Sequence, residues 1–366
     1  MNGYRQISAR QWFFLSLFST ICLTPFGFPT TLYHHLGHGA WVPVAAAYLL
    51  TLWGTFVAIR LCARFERMNL AEWSKKVLGR FFGGIYALVA IAVIYFWSVG
   101  MVYVFTALVT YTQLPNTSRF LILLFIFGPV MYLLRNGLEA WVRFAEFFGV
   151  MLICGLVFIN VPQLVNAEFG KLLPLHTVFL RPDILVRPEI IAALFVFRGI
   201  FAVYFLHPCI KPGRLLGWSL LSVTLAFVEV LTAVVLPIAI FGASFAGTIT
   251  YPYQESLGTV ALPWLPIERI TLLTPAIWQL VIYYVLCTSI FSAAIGIKGL
   301  LNLQGDKKER RLTVALGLAA FALTMFPLQK ELVFRLMVYW SMSGIAVLIV
   351  IPTLLWMILG LKERLR

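Results

Sequence analysis

The stretches "TPFGFP", residues 24–29, and "FRGIF", residues 197–201, each interrupt an apolar run long enough to cross a membrane. Proline lacks an amide hydrogen and crowds the preceding turn, and glycine weakens a helix, so the backbone can unwind at both places. Unwound backbone at membrane depth survives only where it lines a cavity or is buried in protein. The first break falls in the first apolar run and the second in the sixth, five runs later. Breaks at corresponding positions of two five-run halves are the sequence pointer to an inverted-repeat transporter architecture with its ligand site at the breaks.

The composition agrees. Of 366 residues 61% are hydrophobic and 11% charged, against about 25% charged in a soluble domain, and mean hydropathy is +0.93. Cutting at charges, Pro and Gly predicts an all-α integral membrane protein with ten transmembrane helices, at about 8–33, 40–62, 82–111, 119–134, 137–161, 188–209, 215–242, 275–301, 312–327 and 332–360. Residues 1–366 then form one membrane domain whose repeats cover about 8–161 and 188–360. The N-terminus has basic residues before an apolar run but no small-residue cleavage site, so it reads as a retained first helix.

With ten crossings both termini share a side. Nineteen Lys and Arg lie on that side, among them Arg64, Lys75, Lys76, Lys307, Lys308, Arg310 and Arg311, and seven on the other. The positive-inside rule therefore puts both termini in the cytoplasm. The net charge of +14 fits an anionic lipid surface and calls for no nucleic-acid partner. The five cysteines are an odd number without metal-site spacing, and His34, His35 and His38 lack the neighbours that would complete a metal set. No phosphate-cradling glycine loop, HExxH pair or nucleophile elbow occurs, so neither an enzyme nor a cofactor is expected.

Charges inside apolar runs are costly and mark function or pairing. Glu139, Arg143 and Glu146 are spaced by four and three, which places them on one face of the fifth span as an ionic stripe. Arg198 lies in the sixth-span break, where its planar donor fork suits a carboxylate. Glu229 is the one carboxylate of the seventh span and is expected to pair with Arg198, completing an intramembrane charge network. A small ligand is expected between Thr24, Pro25, Phe26, Gly27 and Phe28 of the first break and Phe197, Arg198, Gly199 and Phe201 of the sixth. Tyr95, Phe96 and Ser98 of the third span and Tyr284 and Thr288 of the eighth lie near that depth and are expected to line the pocket.

Particular motifs add a resemblance. Pro25 in the first span, "GHGAWVP" at 37–43, "NGLEAWVRFAE" at 136–146, "FLHPCIKPG" at 205–213 and "YPYQESLGTVALPWLPIERI" at 251–270 before "IWQLVIYY" stand where a known family has them. The sequence resembles the B subunits of bacterial spore germinant receptors, a branch of the amino acid, polyamine and organocation transporter superfamily, over nearly its whole length. The resemblance implies a LeuT/APC-like fold with broken helices 1 and 6. It also implies residence in the spore inner membrane, partnership with receptor A and C subunits, and sensing of a small germinant such as an amino acid. Arg198 departs from the family pattern, in which a neutral residue precedes the glycine. In related transporters a cation on the fifth span stands where a sodium ion would sit. Arg143 at that place would be a permanently charged guanidinium, which favours a sensor over the alternative, a proton-coupled amino acid symporter.

Overall fold

The computed structural model describes residues 7–21, 28–173, 182–260, 271 and 273–364. Helices account for the ordered backbone among them, and the extended pairing that occurs is a parallel bridge between Ile7 and Ile210. In chain order the first elements are α1 (Ala9–Ile21), α2 (Phe28–Leu36), α3 (Trp41–Arg64), the short α4 (Leu70–Leu78), α5 (Arg80–Thr112), α6 (Arg119–Asn136) and α7 (Leu138–Asn160). Then come α8 (Pro182–Leu185), α9 (Pro188–Ala193), α10 (Val203–Leu206), α11 (Leu215–Phe241), α12 (Ala243–Ala246) and α13 (Pro252–Gly258). The chain closes with α14 (Thr274–Leu300), α15 (Asp306–Met325), α16 (Lys330–Ile345) and α17 (Ile351–Arg364), the last two joined by a π-helical stretch, Ala346–Val350.

Among the described residues, seven segments are long and apolar enough to cross a membrane: Trp41–Arg64, Arg80–Thr112, Arg119–Asn136, Leu138–Asn166, Leu215–Phe241, Thr274–Leu300 and Glu331–Lys362. The chain is a multi-pass membrane protein. Three of the ten expected spans fall outside this set, each for a local reason. The first is divided between α1 and α2, and its expected break at Thr24–Gly27 lies outside the described residues. The sixth is divided between α9 and α10, with turns from Leu194 and a 3-10 segment over Arg198–Ala202. The ninth corresponds to α15, whose first turns carry Asp306, Lys307, Lys308, Glu309, Arg310 and Arg311.

Burial separates core from periphery. In α14, 89% of the most apolar stretch is buried, against 28% in the α7 segment, so α14 is the central post and α7 shows most of its surface outward. Lipid is as apolar as leucine, so membrane helices associate through close packing and polar contacts. Here α1 lies along α11, where Trp12 Nε1 donates to Ser219 Oγ at 2.9 Å and the Ser16 and Ser222 hydroxyls meet at 2.9 Å. Between α6 and α7 the chain turns at Gly137, whose φ of +88° would strain a side-chain-bearing residue.

Candidate functional site

The two interrupted spans cross at one point. A Cβ added to Gly199 would stand 2.3 Å from the carbonyl carbon and oxygen of Ser19 and 2.6 Å from the Thr20 nitrogen, so the 3-10 segment presses backbone to backbone on the end of α1. Glycine here is required for that approach. Beside the crossing, Ser19 Oγ lies 3.0 Å from Thr288 Oγ1 and 3.2 Å from the Tyr284 carbonyl of α14. A cavity of about 20 Å³ sits there, lined by Ser19, Trp97, Phe195, Arg198, Gly199, Thr288 and Ser289 among others. That is room for about one water molecule.

Arg198 is the partition between this cavity and a larger one. Its side chain is 8% exposed. The guanidinium carbon lies 3.3 Å from the Trp97 ring centroid and 5.5 Å from that of Phe195, a cation–π arrangement. Nη1 donates to Ser341 Oγ at 2.9 Å, and that hydroxyl donates to the Met337 carbonyl at 2.8 Å. On the far side of Trp97 and Arg198 opens a cleft of about 450 Å³, within the range of small-molecule sites. Its walls are Phe28 and Thr31 of α2, Met101 and Val104 of α5, Ala192 and Ala193 of α9, and Phe334, Met337 and Val338 of α16, with Glu189 and Arg335 as further charged members. The cleft is therefore apolar with a few charged groups, and the Trp97–Arg198 pair forms its floor.

The expected site residues divide three ways. Arg198, Gly199 and Thr288 line the small cavity, and Arg198 and Phe28 line the cleft. Thr24, Pro25, Phe26 and Gly27 lie outside the described residues. The others turn away. The Tyr95 hydroxyl donates to the Leu316 carbonyl of α15 at 2.8 Å, Ser98 Oγ returns to the Tyr95 carbonyl at 2.7 Å, and the Tyr284 hydroxyl donates to the Ala145 carbonyl of α7. Phe197 packs toward Phe227, and Phe201 stacks between Phe195 and Tyr204. Phe96, with 41% of its surface exposed, stacks on Trp340.

The charge network also needs correction. Arg143 pairs with Glu139 at 2.5 Å, with 75% and 43% of their side-chain surfaces exposed. Glu146 instead binds α1, accepting from Arg10 and, at 2.9 Å, from Gln11 Nε2. The stripe begins one residue into α7 and is thus at a helix end, where long side chains reach out of the apolar layer. The expected pairing of Arg198 with Glu229 does not form either. Glu229 Oε2 accepts from Asn160 Nδ2 at 2.8 Å and Oε1 stands 3.5 Å from the Tyr253 hydroxyl, while Arg198 is held by Trp97 and Ser341. No group of three or more His, Cys, Asp or Glu suited to a metal occurs among the described residues.

Trp97, Ser19 and Ser341 are the site residues that sequence reasoning missed. Trp97, Met101 and Val104 are spaced by four and three, the period of one helix face. That period marks a face of α5 without telling whether it meets the cleft, lipid or another helix.

The family model described as spore germination protein (Spore_permease) matches residues 6–333, and the chain belongs to that family. No curated protein sequence matches it. Among solved structures, one similar chain is a Na+-coupled sialic acid symporter in a substrate-bound outward-open state. It shares 11% identity over 92% of this chain and 76% of that one, at a TM-score of 0.65. Another is MhsT in complex with L-phenylalanine, at 12% identity, 97% and 89% coverage and a TM-score of 0.63. A manganese transporter of Eremococcus coleocola aligns at 14% identity, 94% and 77% coverage and a TM-score of 0.57. At these identities the likeness is one of fold, and that fold is the LeuT-type transporter architecture the sequence led us to expect. The chain is a transporter-like membrane protein of the spore germination family.

Proposed function

We propose that this chain is the membrane subunit of a spore germinant receptor, which binds a small germinant in a transporter-like site and passes the resulting conformational bias to receptor A and C subunits in the spore inner membrane. The observation that carries the reading is the cleft of about 450 Å³ floored by Arg198 on Trp97, at an interrupted span of a chain in the spore germination family. In this reading the chain crosses the membrane ten times as two inverted five-span repeats, about 8–161 and 188–360, with both termini cytoplasmic. The ligand enters the cleft and reaches toward Phe28. An amino acid suits it: apolar walls take the side chain, and a planar guanidinium takes the carboxylate.

The pairing of α7 charges bears on the competing symporter reading. A coupling cation on the fifth span would have to stand beside the break, whereas Arg143 is 75% exposed and bridged to Glu139 at the helix end. That favours sensing over transport. Calorimetry of purified protein across an amino-acid panel tests the proposal. At least one member should bind, and Arg198→Gln should weaken it by about 1.5–3 kcal/mol, the range for a hydrogen bond to a charged group. Binding by no member would remove the ligand-sensing role; equal affinity in Arg198→Gln would limit Arg198 to packing.

A further inference from the structure

Away from both cavities, a buried polar cluster joins α7, α11 and the outer-loop helix α13. At its centre is Glu229, 8% exposed and midway along α11. Asn160 is the last residue of α7 and Tyr253 lies in the first turn of α13, which is fully buried at that position. We propose that Glu229 is a proton-binding site that carries its proton in this conformation, and that the protonated acid fastens α13 to the transmembrane helices.

The hydrogen-bond pattern accommodates it. Asn160 Nδ2 lies 2.9 Å from the Leu156 carbonyl, which can only accept, so the amide orientation is fixed. The same nitrogen donates to Glu229 Oε2 at 2.8 Å. Asn160 Oδ1 must then accept, and the Tyr253 hydroxyl donates to it at 2.9 Å. A phenol has one proton, and this one is committed to Asn160. The remaining side of the triangle, Tyr253 Oη to Glu229 Oε1, is 3.5 Å, long for a hydrogen bond, and with the phenol proton on Asn160 at the shorter distance, a hydrogen on Oε1 would close it. Protonated, the three groups form a ring: Glu229 donates to Tyr253, Tyr253 to Asn160, and Asn160 to Glu229. Ionised, the carboxylate would compete with Asn160 Oδ1 for the single phenol proton.

Among the described residues no cation stands in for the proton. The charged and titratable groups on elements around α11 are engaged elsewhere. Arg10 of α1 binds Glu146. On α3, Arg60 lies over the Phe56 ring, Arg64 donates to the Leu359 carbonyl and Tyr48 meets Thr224. Lys171 donates to the Ile240 carbonyl and bridges Glu168. Tyr33 of α2 donates to the Val234 carbonyl. Glu139 and Arg143 pair at the far end of α7, and Glu255 of α13 is exposed. An ionised carboxylate buried among neutral donors is costly, and taking up a proton removes that cost. The cluster continues outward: Ser256 Oγ of α13 donates to Gln163 Oε1 at 2.8 Å, and Gln254 and Thr274 pair at 2.8 Å, tying α13 to the start of α14. Loss of the proton therefore loosens α13 at its Tyr253 anchor, which makes the outer helix responsive to pH without involving the ligand cleft, since Glu229 lines neither cavity.

Infrared spectroscopy of the purified full-length protein in lipid tests this directly. Wild type at neutral pH should show a carbonyl absorption of a protonated, buried carboxyl that is lost in Glu229→Gln, a variant able to keep the ring through its amide. In Tyr253→Phe the same absorption should shift, because the acid loses its acceptor. A cysteine introduced at Leu257, buried on α13, should react with a soluble thiol reagent severalfold faster in alkaline buffer in the wild-type background than in Glu229→Gln. Absence of the absorption, or its persistence in Glu229→Gln, overturns the proton assignment. Equal labelling in the two backgrounds at every pH overturns the fastening of α13.

Discussion

Gly199 and Arg198 are neighbours in sequence with opposite demands. Gly199 must have no side chain, because the Ser19 backbone occupies the space where a Cβ would sit. Arg198 must have a long one, because it spans from the break to Trp97 and Ser341. A buried guanidinium is tolerated here because an aromatic face and a hydroxyl replace part of its hydration. The glycine requirement has a measurable consequence. Gly199→Ala forces α1 and the sixth-span segment apart and should destabilise the protein by about 1–3 kcal/mol, the usual cost of overpacking. Gly217→Ala in α11, where an added Cβ meets nothing within 4 Å, should be neutral or slightly stabilising, since alanine is the better helix former. Thermal unfolding of the two variants in the same detergent gives the comparison, and equal melting temperatures would contradict the close crossing.

At the scale of elements, α7 carries two separate ionic contacts rather than one stripe. The Arg143–Glu139 pair lies within one helix and is largely exposed. Arg143→Ala should therefore cost less than about 1 kcal/mol, as exposed pairs do. Glu146 works between helices, holding Arg10 and Gln11 at the start of α1. Removing it by Glu146→Ala strips α1 of a charged acceptor, at about 1.5–3 kcal/mol. The ordering of the two variants in thermal unfolding is the test: a larger loss for Arg143→Ala than for Glu146→Ala would restore the single-stripe reading. The start of α1 is tied down again by main-chain bonds, Ile7 N to the Cys209 carbonyl and Lys211 N to the Ile7 carbonyl. Thus the ends of the two interrupted spans are joined to each other.

For the whole molecule, the proposed topology puts α13 outside and the start of α15 inside. Glu255 of α13 and Asp306 of α15 are both exposed, so accessibility alone does not separate them. In intact cells a membrane-impermeant thiol reagent should modify a cysteine at Glu255→Cys and spare one at Asp306→Cys until the membrane is opened. The reverse pattern would invert the protein in the membrane.

The sequence by itself determined the class, the transporter-like fold and the interruption of the sixth span. These follow from apolar run length and from glycine and proline, properties carried by a residue regardless of its neighbours. It also pointed to Arg198, Gly199 and Phe28, which the structure places on the walls of the two cavities, because intramembrane charge and helix breaks are visible along one dimension. Partners were decided by the tertiary structure. Arg198 and Glu229 read as a pair because each was the conspicuous charge of its span, yet one turned to Trp97 and the other to Asn160 and Tyr253. The faces of α5 and α14 were likewise set only in three dimensions. Tyr95 and Tyr284 reach carbonyls of α15 and α7, and Trp97, two residues from Tyr95, floors the cleft. Two residues turn a helix by about 200°, and which of those directions meets a cavity depends on the rotation of each helix against neighbours remote in sequence.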